Sequence, residues 1–231
     1  MYCRAHAAVL LSESFDYTNG PLTVVSGGAW ASHSGTALQA DATNGAVTLT
    51  ASESEDVNRL LAGQPYMPGG TTNIFYARFI ARFTEPPSPS GGWFLSFKSA
   101  SSTGFRGRVF ALTTGAAPGQ FRLGLSSGDN NAPTVTNLTD LATNAPFTVI
   151  LRFANTNSAA TLWLNPSSEN DPSITTTEAA ATFTVAAVGL RQAAGIGTLT
   201  LDDLVVGTAF ADVLSGSAPV APFLTTVPQG Q

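Results

Sequence analysis

Glu53 and Glu55 stand two residues apart in the run ASESEDVNRLL. If that run is extended, alternate residues share a face at a rise of ~3.3 Å each, which brings two carboxylates within reach of each other. A retaining glycosidase needs a nucleophile and an acid/base carboxyl about 5–5.5 Å apart, so the pair is a candidate dyad. The other reading is a solvated loop or the start of a helical turn over 54–63. Tyr76 is a second catalytic candidate: beside arginines that neutralise a carboxylated sugar, its phenolate could take a proton in a lyase reaction. His33 in WASHSG could serve as a base. No G-x-S-x-G elbow supplies a nucleophile for it, and Trp30 nearby suggests a packed turn.

The arginines form the larger constellation. Arg78 and Arg82 share one face of NIFYARFIARFT with Tyr76, and Arg106 and Arg108 share one face of GFRGRVFALTT. If these two segments are neighbouring strands, one sheet face carries Tyr76, Arg78, Arg82, Arg106 and Arg108. Guanidinium forks bind carboxylate and sulfate bidentately and stack on flat rings, so an acidic polysaccharide suits that face. Trp93 follows PSPSGG at the start of a strand, where it can offer an exposed ring for sugar stacking. Trp163 in TLWLNP reads as core. The alternative is a solvated strand face laced by cross-strand ion pairs.

A third cluster is acidic. TLTLDDLVVGTAF is a strand of Thr, Leu and Val with Asp202 and Asp203 side by side in its middle. Successive strand residues point to opposite faces, so one of the two is expected to turn inward, where a lone carboxylate is costly. Its partner is either a cation or an arginine such as Arg59 or Arg191.

These residues must be held by β-structure. Runs over 9–15, 37–41, 46–50, 73–84, 93–99, 104–114, 119–127, 146–155, 159–166, 181–192 and 197–208 have strand character and are separated by clusters of Gly, Pro, Asn and Ser. About eleven strands at this spacing predict an all-β, two-sheet antiparallel sandwich. The chain has 231 residues, 43% of them hydrophobic, enough for one domain over 8–214. Charged residues make up 11% and the net charge is -5. An average soluble protein has roughly 25% charged residues. The acidic balance argues against nucleic acid as a partner. No run approaches the ~18 apolar residues needed to span a membrane. Cys3 is the sole cysteine, so the chain makes no internal disulfide. Ala5-His6-Ala7 has the small-x-small form of a signal-peptidase site. Residues 1–7 are therefore expected to be a signal-peptide remnant, with a mature chain beginning near Ala8 that is secreted or attached to the cell surface. The uncharged 215–231 segment is Pro-rich and reads as a linker to a further module, or as one exposed strand near 223–227.

Taken together, ESFDYTNGPL, Trp30 with HSG, GFRGRVFA, TLWLNP and LRQAAGIGTLTLDDLVVGTAFADV resemble LamG-like jelly-roll modules of the concanavalin A-like lectin/glucanase superfamily. The resemblance covers residues 9–214. It implies a jelly roll whose first and last strands pair, which brings Glu13 and Asp16 close to the two aspartates. It also implies a structural Ca2+ held by Asp202, with Asp203 and Glu13 as helpers. Glucanases of the superfamily carry Glu-x-Asp-x-(x)-Glu on an inner strand. Here Val57, Asn58 and Arg59 stand where the third acid belongs, so Glu53 and Glu55 match the motif only in part.

Three functions follow from the sequence. The leading expectation is a secreted, non-catalytic module that binds a polysaccharide or cell-surface glycan, acidic in character, or serves adhesion. The second is a glycoside hydrolase or polysaccharide lyase on the same scaffold. The third is an assembly subunit that docks its C-terminal strand into a neighbour.

Overall fold

A computed structural model describes residues 8–101, 103–178 and 183–214. The motif at 5–7, Cys3 and the 215–231 segment lie outside the described residues.

Strong two-residue periodicity sets the longest strands. The strands are β1 (Val9–Glu13), β2 (Gly20–Pro21), β3 (Ala31–Ser34), β4 (Asp41–Thr43), β5 (Ala46–Thr50), β6 (Asp56–Leu60), β7 (Ile74–Glu85), β8 (Gly92–Lys98) and β9 (Phe105–Leu112). They continue with β10 (Gln120–Ser126), β11 (Val135–Thr136), β12 (Leu141–Ala142), β13 (Phe147–Ala154), β14 (Ala159–Leu164), β15 (Ser173–Thr177), β16 (Ala187–Arg191) and β17 (Thr198–Gly207). Two short helices, α1 (Leu22–Val25) and α2 (Phe210–Leu214), complete the described elements. None is long and apolar enough to cross a membrane.

All pairings are antiparallel. The first sheet runs β15-β14-β13-β7-β17-β5-β4-β2, with β1 also on β17; the second runs β11-β10-β9-β8-β16-β6-β3, with β12 on β10. This is the expected two-sheet jelly roll. First and last strands do pair, Ser12 opposite Val205 and Glu13 opposite Leu204. Between the sheets lie the Phe side chains that face inward from both, including the fully buried Phe79, Phe83, Phe94, Phe97, Phe121 and Phe153. Each such ring contributes about 1.5–3 kcal/mol through burial.

Two expectations are corrected here. Residues 54–63 are not a helical turn. Val57 turns into the core and Asn58 turns out, so the segment is strand β6, paired with β16 and β3. And β7 is not a neighbour of β9: β7 lies between β13 and β17 in one sheet, while β9 lies between β8 and β10 in the other. The chain changes sheets between β7 and β8, so adjacency in sequence does not give adjacency in space.

The aspartate pair is absorbed by a β-bulge. Asp202 pairs with Ile80 and Val205 with Arg78, which leaves two residues of β17 opposite one of β7. Asp203 takes φ of 51°, a left-handed conformation that Asp tolerates better than most residues. The bulge lets Leu201 and Leu204, three residues apart, both turn inward, while both carboxylates stay half-exposed. Neither aspartate enters the core.

Candidate functional site

The outer face of the second sheet gathers the chain's most unusual side chains. Inward residues of β8 and β9 join the common core, which leaves Trp93, Ser96, Lys98, Phe105, Arg108 and Phe110 on the other side. Register brings Lys98 opposite Phe105 and Ser96 opposite Gly189, whose missing side chain leaves room above the sheet. One strand further on, Arg191 of β16 stands opposite Asp56 of β6. His33, at the bulge of β3, closes the group.

Aromatic rings organise the cations. The ring centres of Trp93 and Phe105 are 5.2 Å apart, and His33 lies 5.5 Å from Phe105 on the other side. The Arg191 guanidinium sits 4.5 Å from the Trp93 ring centre and that of Arg108 5.0 Å from it. The Lys98 ammonium is 5.9 Å from the Phe105 ring centre. Arg106, one residue on, lies 5.2 Å from Phe183. Each such contact is worth about 0.5–2 kcal/mol, most where water is excluded.

The positive charges are only partly answered. Arg106 meets Asp129 at 3.4 Å and Arg191 meets Asp56 at 3.9 Å. Arg108 is 6% exposed and donates to the carbonyls of Asp129 and Asn130 at 2.6 and 2.9 Å. Lys98 donates to the carbonyls of Ser99 and Ser101 and has no ion pair among the described residues. Burial pulls Arg108 down to about 10; Asp129 opposes this, and the charges of Arg106 and Arg191 add to it. His33 is lowered to about 4, first by burial and then by Lys98, with Asn58 beside it working the other way. It is neutral at pH 7. Several buried polar atoms of this face have no hydrogen-bond partner among the described residues: the Ser96 hydroxyl and Nε of Arg106 and Arg108. Unpaired buried polar atoms are costly, and native proteins keep few of them outside sites that meet a ligand, water or ion.

The loop beside β9 is built around Glu178. Its carboxylate accepts from the Ser126 hydroxyl, the backbone N–H of Ser127 and Gly128, the Asn130 amide and the Thr134 hydroxyl. That wheel of donors fixes the 127–134 segment whose carbonyls hold Arg108.

Of the residues singled out in the sequence, Trp93, Arg106 and Arg108 thus come together. Tyr76, Arg78 and Arg82 do not join them, because β7 presents these residues on the outside of the opposite sheet. There Arg78 is bound to Asp203 at 2.5 Å, and Arg82 is exposed beside Asn144. Tyr76 is buried under α2 with Trp163 and Phe210. Its hydroxyl donates to Glu169 at 2.6 Å. Burial pushes that phenol up to about 12, with Glu169 adding to the shift, and a hydroxyl packed under α2 and bonded to Glu169 is not presented to a substrate. Trp163 is core, as read, but in this second cluster outside the sandwich. Trp93 is not an exposed platform: it is 5% exposed, covered by its two arginines.

Glu53 and Glu55 form no dyad facing a groove. Glu55 is fully buried, and its Oε2 accepts the backbone N–H of Gln39 and Ala40, both at 2.8 Å. A carboxylate with no exposed surface, used to hold a turn, does not reach a glycosidic bond.

The acidic residues do not fit a Ca2+ site either. Glu13, expected as a metal ligand, has both oxygens occupied by donors. Oε1 takes the Phe15 N–H at 2.8 Å, while Oε2 takes the Tyr17 hydroxyl, the Trp30 indole N–H and Arg59. Asp203 faces Arg78, and Asp202 accepts the Asp203 N–H at 2.6 Å. No three His, Cys, Asp or Glu side chains converge as a cation's ligands would among the described residues. The arginine alternative answers the question posed by the strand, with Arg78 as the partner rather than Arg59 or Arg191.

Sequence reasoning missed Phe105, Arg191, Lys98 and Asp56 as members of the face. Lys98 is the only lysine of the chain, and that oddity was the one visible signal.

A cavity of about 560 Å³ lies elsewhere, lined among others by Leu138, Leu164, Ile174 and Asp171. Asp171 is already engaged by the N–H groups of Ser167 and Ser168.

No protein-family model and no curated protein matches the chain. Solved structures do. A sialidase matches over 87% of this chain at 9% identity, with a TM-score of 0.53; the chain spans 19% of that protein's length. The CBM2 module of the evolved Dit of Lactobacillus casei BL23 phage J-1 matches over 87% of this chain and 96% of its own, at 12% identity and a TM-score of 0.54. The exoplasmic/lumenal domain of VIP36, in its Ca2+/Man3GlcNAc-bound form, matches over 80% and 85% at 12% identity and a TM-score of 0.47. Identities this low speak for the fold alone, and the fold is a two-sheet antiparallel jelly-roll sandwich.

Proposed function

We propose that the protein is a carbohydrate-binding module of the secreted or surface-attached kind, which holds an acidic polysaccharide on the outer face of its second sheet and does not cleave it. The observation that carries this reading is the cation-rich aromatic cluster of Trp93, Phe105, Lys98, Arg106, Arg108 and Arg191. In a chain of net charge -5, three of ten basic side chains, Lys98, Arg108 and Arg191, meet on one face with incomplete acidic compensation, and Arg106 stands at its edge against Phe183. Phe105, Arg106, Arg191, His33 and Asn58 are half-exposed and form the contact tier; Trp93, Ser96, Lys98 and Arg108 form the floor. Sugar rings offer C–H faces to aromatics, and uronate or sulfate groups suit guanidinium forks. The likeness of fold to a phage CBM2 module of nearly equal length supports the same reading. The catalytic candidates Glu53, Glu55 and Tyr76 are buried or apart, which favours binding over hydrolysis or elimination.

The test is depletion of the protein from solution by a panel of neutral and acidic polysaccharides. Retention on an acidic glycan is expected, reversed by about 0.5–1 M salt, where the Debye length shrinks to a few Å. Retention that survives this salt, or equal retention on neutral glycans, overturns the ionic reading. No retention on any glycan overturns the function.

A further inference from the structure

The outer face of the second sheet is roofed by its own side chains. His33 of β3 meets Phe105 of β9 with ring centres 5.5 Å apart, although β6, β16 and β8 lie between their strands. Four strand spacings amount to about 19 Å on a flat sheet. Two such side chains do not reach that far, so the sheet curves toward this face. Phe105 also meets the Trp93 ring at 5.2 Å, and the Lys98 ammonium stands 5.9 Å from its centre. Ser96 lies between Trp93 and Lys98 on β8, beneath that ring, and is completely buried. Yet its hydroxyl has no hydrogen-bond partner among the described residues. Nor has Nε of Arg108, whose Nη1 is held by the carbonyls of Asp129 and Asn130. Two donors are thus kept dry and unused under one half-exposed ring, at a cost in stability unless something accepts from them.

Gly189 gives an independent signal at the same spot. It stands opposite Ser96 in the middle of β16, a strand paired on both sides. Glycine weakens a strand interior, and one placed there often marks the close approach of a ligand or another backbone. Neither strain nor crowding accounts for this one. Its φ is not left-handed, and a Cβ there would meet Ser96 Oγ at 3.8 Å and the Lys98 stem at 3.9 Å, both ordinary contacts. Alanine would fit; glycine leaves a methyl's depth of open floor beside the unused hydroxyl. Lys98 adds a positive charge with no ion pair among the described residues. On the reading of this face as a glycan site, we infer that the floor under Phe105 is a subsite for one oxyanion of the ligand, a sugar-borne carboxylate or sulfate. The group enters as the Phe105 ring swings aside and settles over Gly189. It accepts from the Ser96 hydroxyl and from Arg108 Nε–H, and Lys98 balances its charge. Bonds to an ionised acceptor are roughly twice as strong as neutral ones, so the subsite selects acidic sugars over neutral ones.

Titration of the whole chain with glucuronate and with glucose sulfate, against glucose as the neutral control, tests the subsite. Displacing Phe105 alters the surroundings of Trp93, so tryptophan fluorescence reports entry. A saturable change is expected with at least one acidic sugar, and which one answers separates carboxylate from sulfate. Glucose should give none. Ser96→Ala and Gly189→Ala are the decisive variants, and each should weaken the acidic sugar about tenfold or more. Both should keep or slightly raise the melting temperature, since one removes an unbonded hydroxyl and the other fills open space with a methyl. Acidic sugars that bind both variants as tightly as the unsubstituted protein overturn the inference, as does an equal response to glucose. No saturable change with either acidic sugar by about 100 mM, well beyond the ~1 mM Kd of a weak ligand, overturns it too. The same three proteins on an acidic polysaccharide keep subsite and function apart. Equal retention of all three upholds the function and rejects the subsite. Acidic sugars bound through Ser96 and Gly189, without retention on the polysaccharide, do the reverse.

Discussion

Arg191 places its guanidinium 4.5 Å from the centre of the Trp93 ring, so the indole that the sequence offers for sugar stacking is already stacked. Arg108 approaches the same ring at 5.0 Å. The arrangement converts a hydrophobic side chain into a bracket that orders two cations on one sheet face. Replacing Trp93 by Leu keeps some apolar volume but frees both guanidiniums. We expect acidic-glycan binding to weaken about tenfold, the equivalent of ~1.4 kcal/mol, and the melting temperature to fall by a few degrees. Arg82→Ala, on the opposite sheet, should leave glycan binding unchanged. If the two substitutions affect binding equally, the face has been misassigned.

Glu13 and Arg59 make the costliest polar contact to break. Glu13 belongs to β1 in one sheet and Arg59 to β6 in the other, so their ion pair crosses the end of the sandwich. Glu13 is 4% exposed, and its removal strands the Trp30 indole N–H and the Tyr17 hydroxyl along with the guanidinium. Breaking one side of a buried pair typically costs about 3–5 kcal/mol. Glu13→Ala should therefore lower the denaturation midpoint severely, in urea as in heat. A loss below ~1 kcal/mol would mean that water reaches this cluster and takes over the bonds.

The β17 aspartates give a prediction of opposite sign. Burial raises the Asp202 carboxyl above its ordinary value, and the charges of Asp203 and Asp16 add to the shift. Its ionised form is thus a burden on the folded state. Stability gains as pH falls through the raised value and loses as pH climbs past it. Asp202→Asn keeps an acceptor for the Asp203 N–H while removing the charge. It should raise the melting temperature at pH 7 by roughly 1–3 °C and do nothing near pH 3, where the carboxyl is already protonated. Calcium tests the same residues: melting in millimolar Ca2+ and in chelator should coincide. A rise with Ca2+ that Asp202→Asn abolishes would reinstate the metal site.

How much of this was legible beforehand follows from what each signal measures. Alternation in NIFYARFIARFT reports burial on one side of a strand, and β7 has that pattern. It does not report which sheet the strand joins, so the arginines of β7 and β9 were placed on one face when they lie on two. The chain-end pairing was readable because β1 and β17 carry the residues of the superfamily resemblance. The bulge at Asp203 was not, since an αL residue inside a strand leaves no periodic trace other than the misfit itself. Residues 54–63 were misread because Arg59 points inward, to Glu13, and a charged residue on the core side disguises strand alternation. Arg191 and Phe105 escaped notice because their roles depend on Trp93, and that contact crosses three strands.

His33 supplies the last prediction, and it joins stability to function. The ring is held near pKa 4, by burial first and by Lys98 second, against about 6.5 in an unfolded chain. Between those values the unfolded state binds more protons than the folded one, so stability rises with pH across that window. The contribution of His33 is complete above about pH 6.5 and is lost as pH falls through 4. His33→Gln, similar in size and never charged, should flatten the melting curve between pH 4 and 6.5 and change little at pH 8. An acidic glycan seated beside the ring adds the negative charge that the site lacks and favours the imidazolium. Saturating acidic glycan should therefore flatten the same slope in the unsubstituted protein, and affinity should rise as pH drops toward 5. A neutral glycan should do neither. If the slope persists in His33→Gln, the titrating group is another one; Asp56 is not that group, because a carboxyl raised by burial makes stability fall, not rise, with pH.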